Sequence, residues 1–237
     1  MSFLVYNYSM QQYFVDKKLE VGETVLLDED ILYHLVKVLR KDSSYTFRLA
    51  DSEGSIFYCH LIDKYGCIVD EKLDENNELD TDITCIMSLI KNDKFELTIQ
   101  KLVELGVKRI VPYQAVRSVI KAKDDKKVNR IRKIVLEAAE QSHRNIVPEV
   151  TEVASLNDLE QYLSKHNYIC YESEKNIVNV DCDESVTYII GPEGGFEDNE
   201  YRKICEIGFE SISLGKRILR AETAAIYMTS IIVGKCQ

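Results

Sequence analysis

Proline and glycine are scarce in this sequence, with 3 prolines and 10 glycines in 237 residues. Hydrophobic residues make up 45% of the chain and charged residues 30%. This composition is typical of folded globular proteins, so it argues against a disordered or low-complexity chain. The length is sufficient for a substantial hydrophobic core and is compatible with one or two domains.

Long apolar runs are also lacking. No stretch approaches the roughly 18 residues that a membrane span needs, and the opening residues, MSFLVYNYSMQQYF, lack the basic-then-apolar order of a signal peptide. The 7 cysteines are scattered, odd in number and without a C-x-x-C pair, which indicates neither a disulfide framework nor a zinc site. We therefore expect a cytoplasmic protein with reduced cysteines, no membrane association and no bound metal.

The common phosphate-binding and hydrolase motifs are absent as well. IIGPEGGF at residues 189–196 is not G-x-G-x-x-G, and SLGKR at residues 213–217 lacks the first glycine and the Ser or Thr of a P-loop. There is no G-x-S-x-G, no H-E-x-x-H and no set of kinase motifs. Both segments nevertheless follow apolar runs, and glycine backbone lets a ligand approach closely. Such loops suit an adenosine-like ligand without a phosphate, for example S-adenosylmethionine.

The pattern of hydrophobic residues changes along the chain. Up to about residue 73, short segments such as YTFRLA and SIFYCHLI alternate apolar and polar residues, and predict a small antiparallel β-structure with one helix over DEDILYHLVKVLR. The acidic segment that begins at residue 74 marks a domain boundary. Beyond it, apolar strands alternate with amphipathic helices, which predicts an α/β domain with a parallel sheet covered on both faces. Ligand loops should follow the strands' carboxyl ends.

Charge is distributed unevenly. The net charge of −10 argues at first against a nucleic-acid partner, but residues 91–133 hold thirteen lysines and arginines against five acidic residues. Within this basic strip, Lys121 and Lys123 are candidates for contacts with nucleic-acid phosphates. A solvated helix face is the alternative explanation for the strip.

Four motifs in order carry a resemblance to a known family. They are FELTIQKLVELGVKRIVP, EAAEQSHRNIVP, IIGPEGGF and SLGKRILRAETAA. Together they closely resemble the ribosomal RNA small subunit methyltransferase E family, a SPOUT-class family of S-adenosylmethionine-dependent RNA methyltransferases. The resemblance extends over the whole chain, because HLVKVLR near the N terminus is also similar to a family segment.

The resemblance implies an architecture and an activity. The architecture is a PUA-like, RNA-binding β-barrel at residues 1–73 and a SPOUT methyltransferase domain at residues 74–237, whose C-terminal trefoil knot holds the cofactor. The implied activity is methylation of N3 of one specific uridine in 16S ribosomal RNA by a homodimer, with the small ribosomal subunit as partner. Two alternatives remain open: a catalytically inactive RNA-binding dimer, and a SPOUT enzyme that acts on transfer RNA or on a ribose hydroxyl.

The family motifs indicate which loops of this sequence would bind the cofactor. One wall of the site would be Gly191, Pro192, Glu193, Gly194 and Gly195. The other wall would be Leu214, Gly215, Arg217, Ile218, Leu219 and Arg220. A third loop should follow the strand YICYES and contribute Tyr171 and Glu172. The family tends to place Ser or Thr after GPEGGF as a helix cap, and we expect Asp198 to take that role here because Glu197 stands at the usual position.

Methyl transfer to uridine N3 requires loss of a weakly acidic proton and stabilisation of the charge left on the base. Arg144 and Arg220 are our candidates for holding the uridine or its phosphate, and Glu222 is the candidate proton acceptor. Two structural explanations compete with these roles. Glu222 sits where a helix dipole favours a carboxylate, and Arg144 can pair with Glu140 one turn away.

The segment around HLVKVLR supplies further candidates for RNA contacts. Lys37, Arg40 and Lys41 should contact phosphate, and mutating them should weaken binding in a salt-dependent way. His34 joins them as an RNA-contacting residue. His34 and His143 could be taken for general bases, but lone histidines are more often structural.

Overall fold

The computed structural model describes residues 10–62, 65–120, 125–174 and 180–236, with only the backbone of residues 125–127. The chain divides into two compact units. The first unit runs to Glu78 and also contains Glu140–Ile146, whereas the second consists of Leu79–Ala139 and the residues from Val147 onward. The boundary predicted from the sequence, between residues 73 and 74, assigned the segment Glu140–Ile146 to the second domain.

The first unit is built on a five-stranded sheet with the order β1-β3-β4-β5-β2. The strands are β1 (Gln12–Phe14), β2 (Thr24–Leu26), β3 (Thr46–Ala50), β4 (Ile56–Leu61) and β5 (Gly66–Leu73). Their alternating apolar residues form one core that includes Phe47, Leu49 and Cys59. The β3-β4-β5-β2 pairings are antiparallel, as predicted, but β1 pairs parallel to β3. The predicted antiparallel strands are therefore confirmed, whereas β1 was not predicted because its three residues are too few to show an alternating pattern.

The helix predicted between β2 and β3 is not one regular α-helix. A short helix α1 (Glu29–Leu32) continues directly into a π-helical segment, Tyr33–Val38. Asp28 occupies the N-cap position without a side-chain hydrogen bond to the helix. The π-helical segment buries Leu35 and leaves Tyr33 64% exposed to solvent.

The second unit contains a six-stranded sheet with the order β11-β9-β10-β6-β7-β8. The strands are β6 (Asp82–Ser88), β7 (Arg109–Tyr113), β8 (Glu149–Val150), β9 (His166–Cys170), β10 (Ser185–Ile190) and β11 (Glu210–Ile212). Every pairing between them is parallel, which confirms the predicted α/β domain with a parallel sheet. The central strand β6 is buried along all but its first residue, as expected for a strand covered on both faces.

Four α-helices and a 3₁₀ segment accompany this sheet in the described part of the chain. They are α2 (Asn92–Glu104), α3 (Asp125–Gln141), the 3₁₀ segment (Leu156–Tyr162), α4 (Asp198–Ile207) and α5 (Ala221–Cys236). Helices α2 and α5 pack against each other. The side chain of Glu197 accepts hydrogen bonds from the backbone N–H groups of Asn199 and Glu200 at the start of α4. The expected cap Asp198 was therefore wrong, because Glu197 itself caps the helix.

The register of the sheet brings three strand ends to the same level. Cys170 at the end of β9 lies beside Ile190 on one side and beside Ile212 on the other. Because all three strands run in the same direction, the loops that follow them leave from one edge of the sheet. This edge is where parallel α/β sheets bind ligands.

Two sequence-based expectations concern the chain as a whole. All seven cysteines carry free thiols, and four of them, Cys59, Cys67, Cys85 and Cys170, are buried, as free cysteines often are. None of the helices in the described ranges has the length and apolar character that crossing a membrane requires.

Candidate active site

A cavity of about 570 Å³ lies at the edge where β9, β10 and β11 end. Three loops and the beginnings of α2 and α5 enclose it. Its lining residues are Lys94, Cys170, Tyr171, Glu172, Ile190, Gly191, Pro192, Glu193, Gly194, Gly195, Ser213, Leu214, Gly215, Lys216, Arg217, Ile218, Leu219, Arg220, Ala221 and Ala224. All the cofactor-loop residues named from the sequence are among them, so the structure brings the predicted walls together. Their assignment as cofactor ligands stays a prediction.

The loop after β10 needs its glycines for steric reasons. Gly195 has φ +67°, and its N–H donates to the carbonyl of Pro192 at 2.9 Å to close a turn. A Cβ on Gly195 would lie 2.2 Å from Glu172 Oε1. A Cβ on Gly191 would lie 2.9 Å from the Phe196 ring. At Gly191 the neighbouring ring therefore leaves no room for a side chain, whereas at Gly195 the positive φ disfavours one and the flexible end of Glu172 would have to move.

The loop after β9 is fixed between the other two loops. The N–H of Tyr171 donates to the carbonyl of Ile212 at 3.0 Å, and the Tyr171 ring stacks on Tyr201 of α4 with the ring centroids 4.1 Å apart. At the base of the cavity, burial raises the pKa of the Cys170 thiol well above its ordinary value. Cys170 therefore contributes a neutral, apolar surface rather than a nucleophile.

A buried carboxylate that the sequence did not single out holds the glycine loop in place. Glu200 is 2% exposed, and its Oε1 accepts hydrogen bonds from the hydroxyl of Tyr113 at 2.7 Å and from the N–H of Val116 at 3.0 Å. Its other oxygen accepts from the N–H of Glu197 at 3.3 Å. Burial, and then the hydrogen bond to Glu200, raises the pKa of Tyr113 far above its ordinary value. Glu200 thus ties the loop after β10 to the loop after β7.

The charged side chains of the cavity differ in their exposure. Lys216, Arg217 and Arg220 on the loop after β11 are exposed, whereas Lys94 of α2 is half-buried. The ammonium of Lys94 lies 3.2 Å from Glu222 Oε1, in the first turn of α5. Sequence reasoning missed Lys94, although its place four residues after the apolar run that ends at Ile90 was a usable signal.

Of the three residues predicted to act in catalysis, only Arg220 lines the cavity. Glu222 reaches the cavity wall through its ion pair with Lys94. Arg144 is absent from the lining residues and belongs to the first unit, where it is 3% exposed. Its predicted role in holding the uridine stays a prediction.

Arg144 has a structural role within the first unit. Its Nε donates to Glu78 Oε1 at 2.9 Å, and its Nη2 lies 2.5 Å from Glu78 Oε2. Glu78 Oε1 also accepts from the N–H of Asn145 at 2.9 Å, and the Asn145 side chain donates to the carbonyls of Gly54 and Glu75. These bonds attach the segment Glu140–Ile146 to the first unit.

The predicted RNA-contacting residues near the N terminus differ in their exposure to solvent and in their contacts. His34 is half-buried, and its Nδ1 is 2.8 Å from the hydroxyl of Tyr13. Lys37 and Arg40 are exposed, and Lys41 lies over the ring of Tyr45 at 4.5 Å. Lys121 and Lys123 lie outside the described residues.

Much of the described basic strip is paired with acidic residues. Arg130 pairs with Glu96, and Arg132 pairs with Glu152. These cations remain more than half exposed, so the pairs contribute little to stability. The pairing favours a solvated helix face as the explanation of this part of the strip.

Comparison with known proteins identifies the family. A family model described as an RNA methyltransferase domain matches residues 77–233. The ribosomal RNA small subunit methyltransferase E of Bacillus subtilis is 34% identical to this chain, over 94% of the chain and 96% of its own length. That of Mesomycoplasma hyopneumoniae is 33% identical, over 92% and 97%. The chain belongs to the ribosomal RNA small subunit methyltransferase E family. The resemblance noted in the sequence is thereby confirmed.

Two solved structures extend the similarity to three dimensions. A ribosomal RNA small subunit methyltransferase E from Neisseria gonorrhoeae, bound to S-adenosylmethionine, superimposes with a TM-score of 0.88 at 29% identity. A methyltransferase from Legionella pneumophila with bound S-adenosylmethionine gives the same TM-score at 27% identity. Each comparison covers 95% of this chain and 98% of the other.

Proposed function

We propose that this chain transfers a methyl group from S-adenosylmethionine to N3 of a specific uridine in the 16S RNA of the small ribosomal subunit, in the cytoplasm. The observation that carries the proposal is the single cavity formed by the glycine loop, the loop after β11 and the loop after β9. Family membership supports the substrate class, since the relatives are named as methyltransferases of small-subunit ribosomal RNA.

The residues of the cavity fit S-adenosylmethionine. Its volume of about 570 Å³ lies within the range of small-molecule sites. The backbone of Gly191–Gly195 and of Leu214–Leu219 offers polar groups to an adenosine without a phosphate-binding motif. Glu172 and Glu193 supply negative charge for a sulfonium. We assign these groups to cofactor binding, with Tyr171 as a further wall.

When bound, S-adenosylmethionine supplies a methyl group on a positively charged sulfur. The chain's own contribution is to fix the uracil beside this methyl group and to exclude water, because positioning alone can supply several kcal/mol of the barrier. Arg220 lines the cavity and is exposed, so its guanidinium is available to hold the phosphate or the base of the target nucleotide.

The first unit is proposed to bind the RNA as a PUA-like domain. The π-helical segment between β2 and β3 carries the exposed side chains of Tyr33 and Lys37, and the exposed Arg40 follows it. Cations bind phosphates, and an exposed aromatic ring can stack on an unpaired base. We also propose that the sheet closes into a barrel, and that the loops after β9, β10 and β11 belong to a trefoil knot, as the family resemblance implies.

The chain is proposed to act as a homodimer. Helix α5 is rich in apolar residues, yet Tyr227 is 47% exposed and Ile226, Ile231 and Val233 are only partly buried. An apolar helix that stays partly exposed is typical of an interface. Sedimentation equilibrium should give twice the chain mass of 27.3 kDa, and a monomer at micromolar concentration would contradict the dimer.

The activity is tested in ribosomal RNA from a strain that lacks the gene. Nucleoside mass spectrometry should show the loss of one N3-methyluridine from small-subunit RNA, and purified protein with S-adenosylmethionine should restore it. A double variant, Lys37→Ala with Arg40→Ala, should restore it more slowly at low salt, and the defect relative to the wild type should shrink as salt is raised, because salt screens the phosphate contacts of the wild type.

Two results would contradict the proposed function. One is an unchanged content of N3-methyluridine in the deletion strain. The other is the loss of a ribose-methylated nucleoside or of a transfer RNA modification instead. A protein that bound the RNA but not S-adenosylmethionine would indicate an inactive RNA-binding scaffold.

A further inference from the structure

The two sides of the cavity differ in their electrostatic character. On the loop side, Glu172 and Glu193 suit a cation such as a sulfonium, and they border the cavity together with the exposed cations Lys216, Arg217 and Arg220. On the opposite side, Lys94 is the third residue of α2, and Ala221 and Ala224 belong to the first turn of α5. Helix N-termini carry partial positive charge. The helical side therefore suits an anion.

Lys94 is held in place rather than free to move in solvent. Its side chain is 28% exposed, and its ammonium lies 3.2 Å from Glu222 Oε1, whose side chain is 16% exposed. The second oxygen, Glu222 Oε2, is buried and has no hydrogen-bond partner in the described part of the chain. A carboxylate that is nearly withdrawn from water needs its cation. The pair thus links α2 to the start of α5 at the cavity wall.

We propose that Lys94 is a catalytic residue that stabilises the negative charge on the uracil during methyl transfer, and that Glu222 is the positioning residue that holds Lys94. This inference rests on the proposed function and deepens it. The ammonium can donate to a uracil carbonyl oxygen next to N3, where the charge accumulates once the N3 proton is lost. Lys94 is better placed for this than the exposed cations, because a half-buried charge is screened less.

The step balances without a further reactant. The N3 proton passes to solvent water, and the charge left on the base is shared by N3 and the carbonyl oxygens. The N3 lone pair then forms the bond to the methyl carbon as the carbon–sulfur bond breaks and its electron pair stays on sulfur. In this scheme Glu222 does not take the proton, which departs from the role that the sequence suggested for it.

Several charged groups surround the same cavity and contribute to its field. They are Glu172, Glu193, Lys216, Arg217 and Arg220 on the loops and, paired with Lys94, Glu222 on α5. Lys216, Arg217 and Arg220 are exposed, so solvent screens their effect on the base. Lys94 is the cation among the described lining residues that is not exposed.

The test compares Lys94→Ala, Lys94→Arg and Glu222→Gln with the wild type in methyl transfer to ribosomal RNA from the deletion strain. Lys94→Ala should lower kcat about a hundredfold near neutral pH, the cost of removing one such donor. Its affinity for S-adenosylmethionine by calorimetry should stay close to that of the wild type, whereas its melting temperature should fall because the nearly buried Glu222 loses its cation. Lys94→Arg, which keeps the charge, should retain more activity than Lys94→Ala.

The pH profile separates a catalytic role from a structural one. A nearby cation favours the ionised base, so removing Lys94 should shift the rise of the rate to higher pH, and the defect should shrink in alkaline solution. Lys101→Ala is the matched control, because Lys101 forms an ion pair on the same helix, with Glu104, but does not line the cavity. This control should leave the rate and its pH dependence unchanged.

Three outcomes would overturn the inference. Weaker cofactor binding with an unshifted pH profile would place Lys94 on the cofactor carboxylate. If Glu222→Gln lowered kcat more than Lys94→Ala did at every pH, Glu222 would be the proton acceptor. An unchanged rate in Lys94→Ala would contradict the catalytic role of Lys94 alone. A wild-type protein that transfers no methyl group would contradict the proposed function as well.

Discussion

Replacement of Gly195 by alanine is expected to lower the affinity for S-adenosylmethionine about a hundredfold, or about 2.7 kcal/mol. Gly195 has φ +67°, and a Cβ there would lie 2.2 Å from Glu172 Oε1. A left-handed conformation costs a residue with a side chain about 1 kcal/mol or more. The rest of the loss comes from the displacement of Glu172 from the cavity wall. Isothermal titration calorimetry measures the effect directly.

Gly194→Ala provides a comparison in the same loop. The Cβ it adds would lie 3.5 Å or more from Arg117, which is ordinary contact, and the backbone has no positive φ there. We expect a much smaller loss of affinity than for Gly195→Ala. Equal affinity of Gly195→Ala and the wild type would show that the glycine loop is not a cofactor wall.

Arg144→Ala is expected to destabilise the first unit by about 3–5 kcal/mol, the usual cost of breaking a buried ion pair. The side chains of Arg144 and Glu78 are 4% and 17% exposed. Without the guanidinium, the Glu78 carboxylate would be left in this site with only the backbone N–H groups of Asn145 and Ile146 as donors. Denaturant unfolding monitored by circular dichroism measures the loss.

Arg109→Ala is the control for this effect. Its pair with Glu149 has side chains that are 44% and 56% exposed, so its removal should cost at most about 1 kcal/mol. If Arg144→Ala were as stable as the wild type but inactive in methyl transfer, the structural role would be wrong. The guanidinium would then act on the uridine, as the sequence suggested.

The α/β domain was predictable because its strands and helices have distinct hydrophobic periods. The local hydrophobic pattern of segments such as VTYIIG and NEYRKICEIG indicates a strand and a helix, whereas the order of the strands in the sheet was not predicted. The cofactor loops were found through glycines at strand ends, together with a family resemblance. The cavity confirms that these loops meet, although not what they bind.

Other features were not predictable because they depend on contacts between residues distant in sequence. The roles of Glu200 and Arg144 depend on partners more than 60 residues away, Tyr113 and Glu78. Strand β8 has only two residues and no pattern of its own. The parallel pairing of β1 with β3 and the π-helical segment likewise reflect tertiary packing, which overrides local propensity.

A crystal structure of the protein grown with S-adenosylmethionine tests the central claim most directly. The account predicts density for one ligand per chain, with its adenosine between the backbone of Gly191–Gly195 and of Leu214–Leu219, and its sulfonium on the side of Glu172 and Glu193. Density for the ligand at any other place, or no density at saturating concentration, would contradict the account.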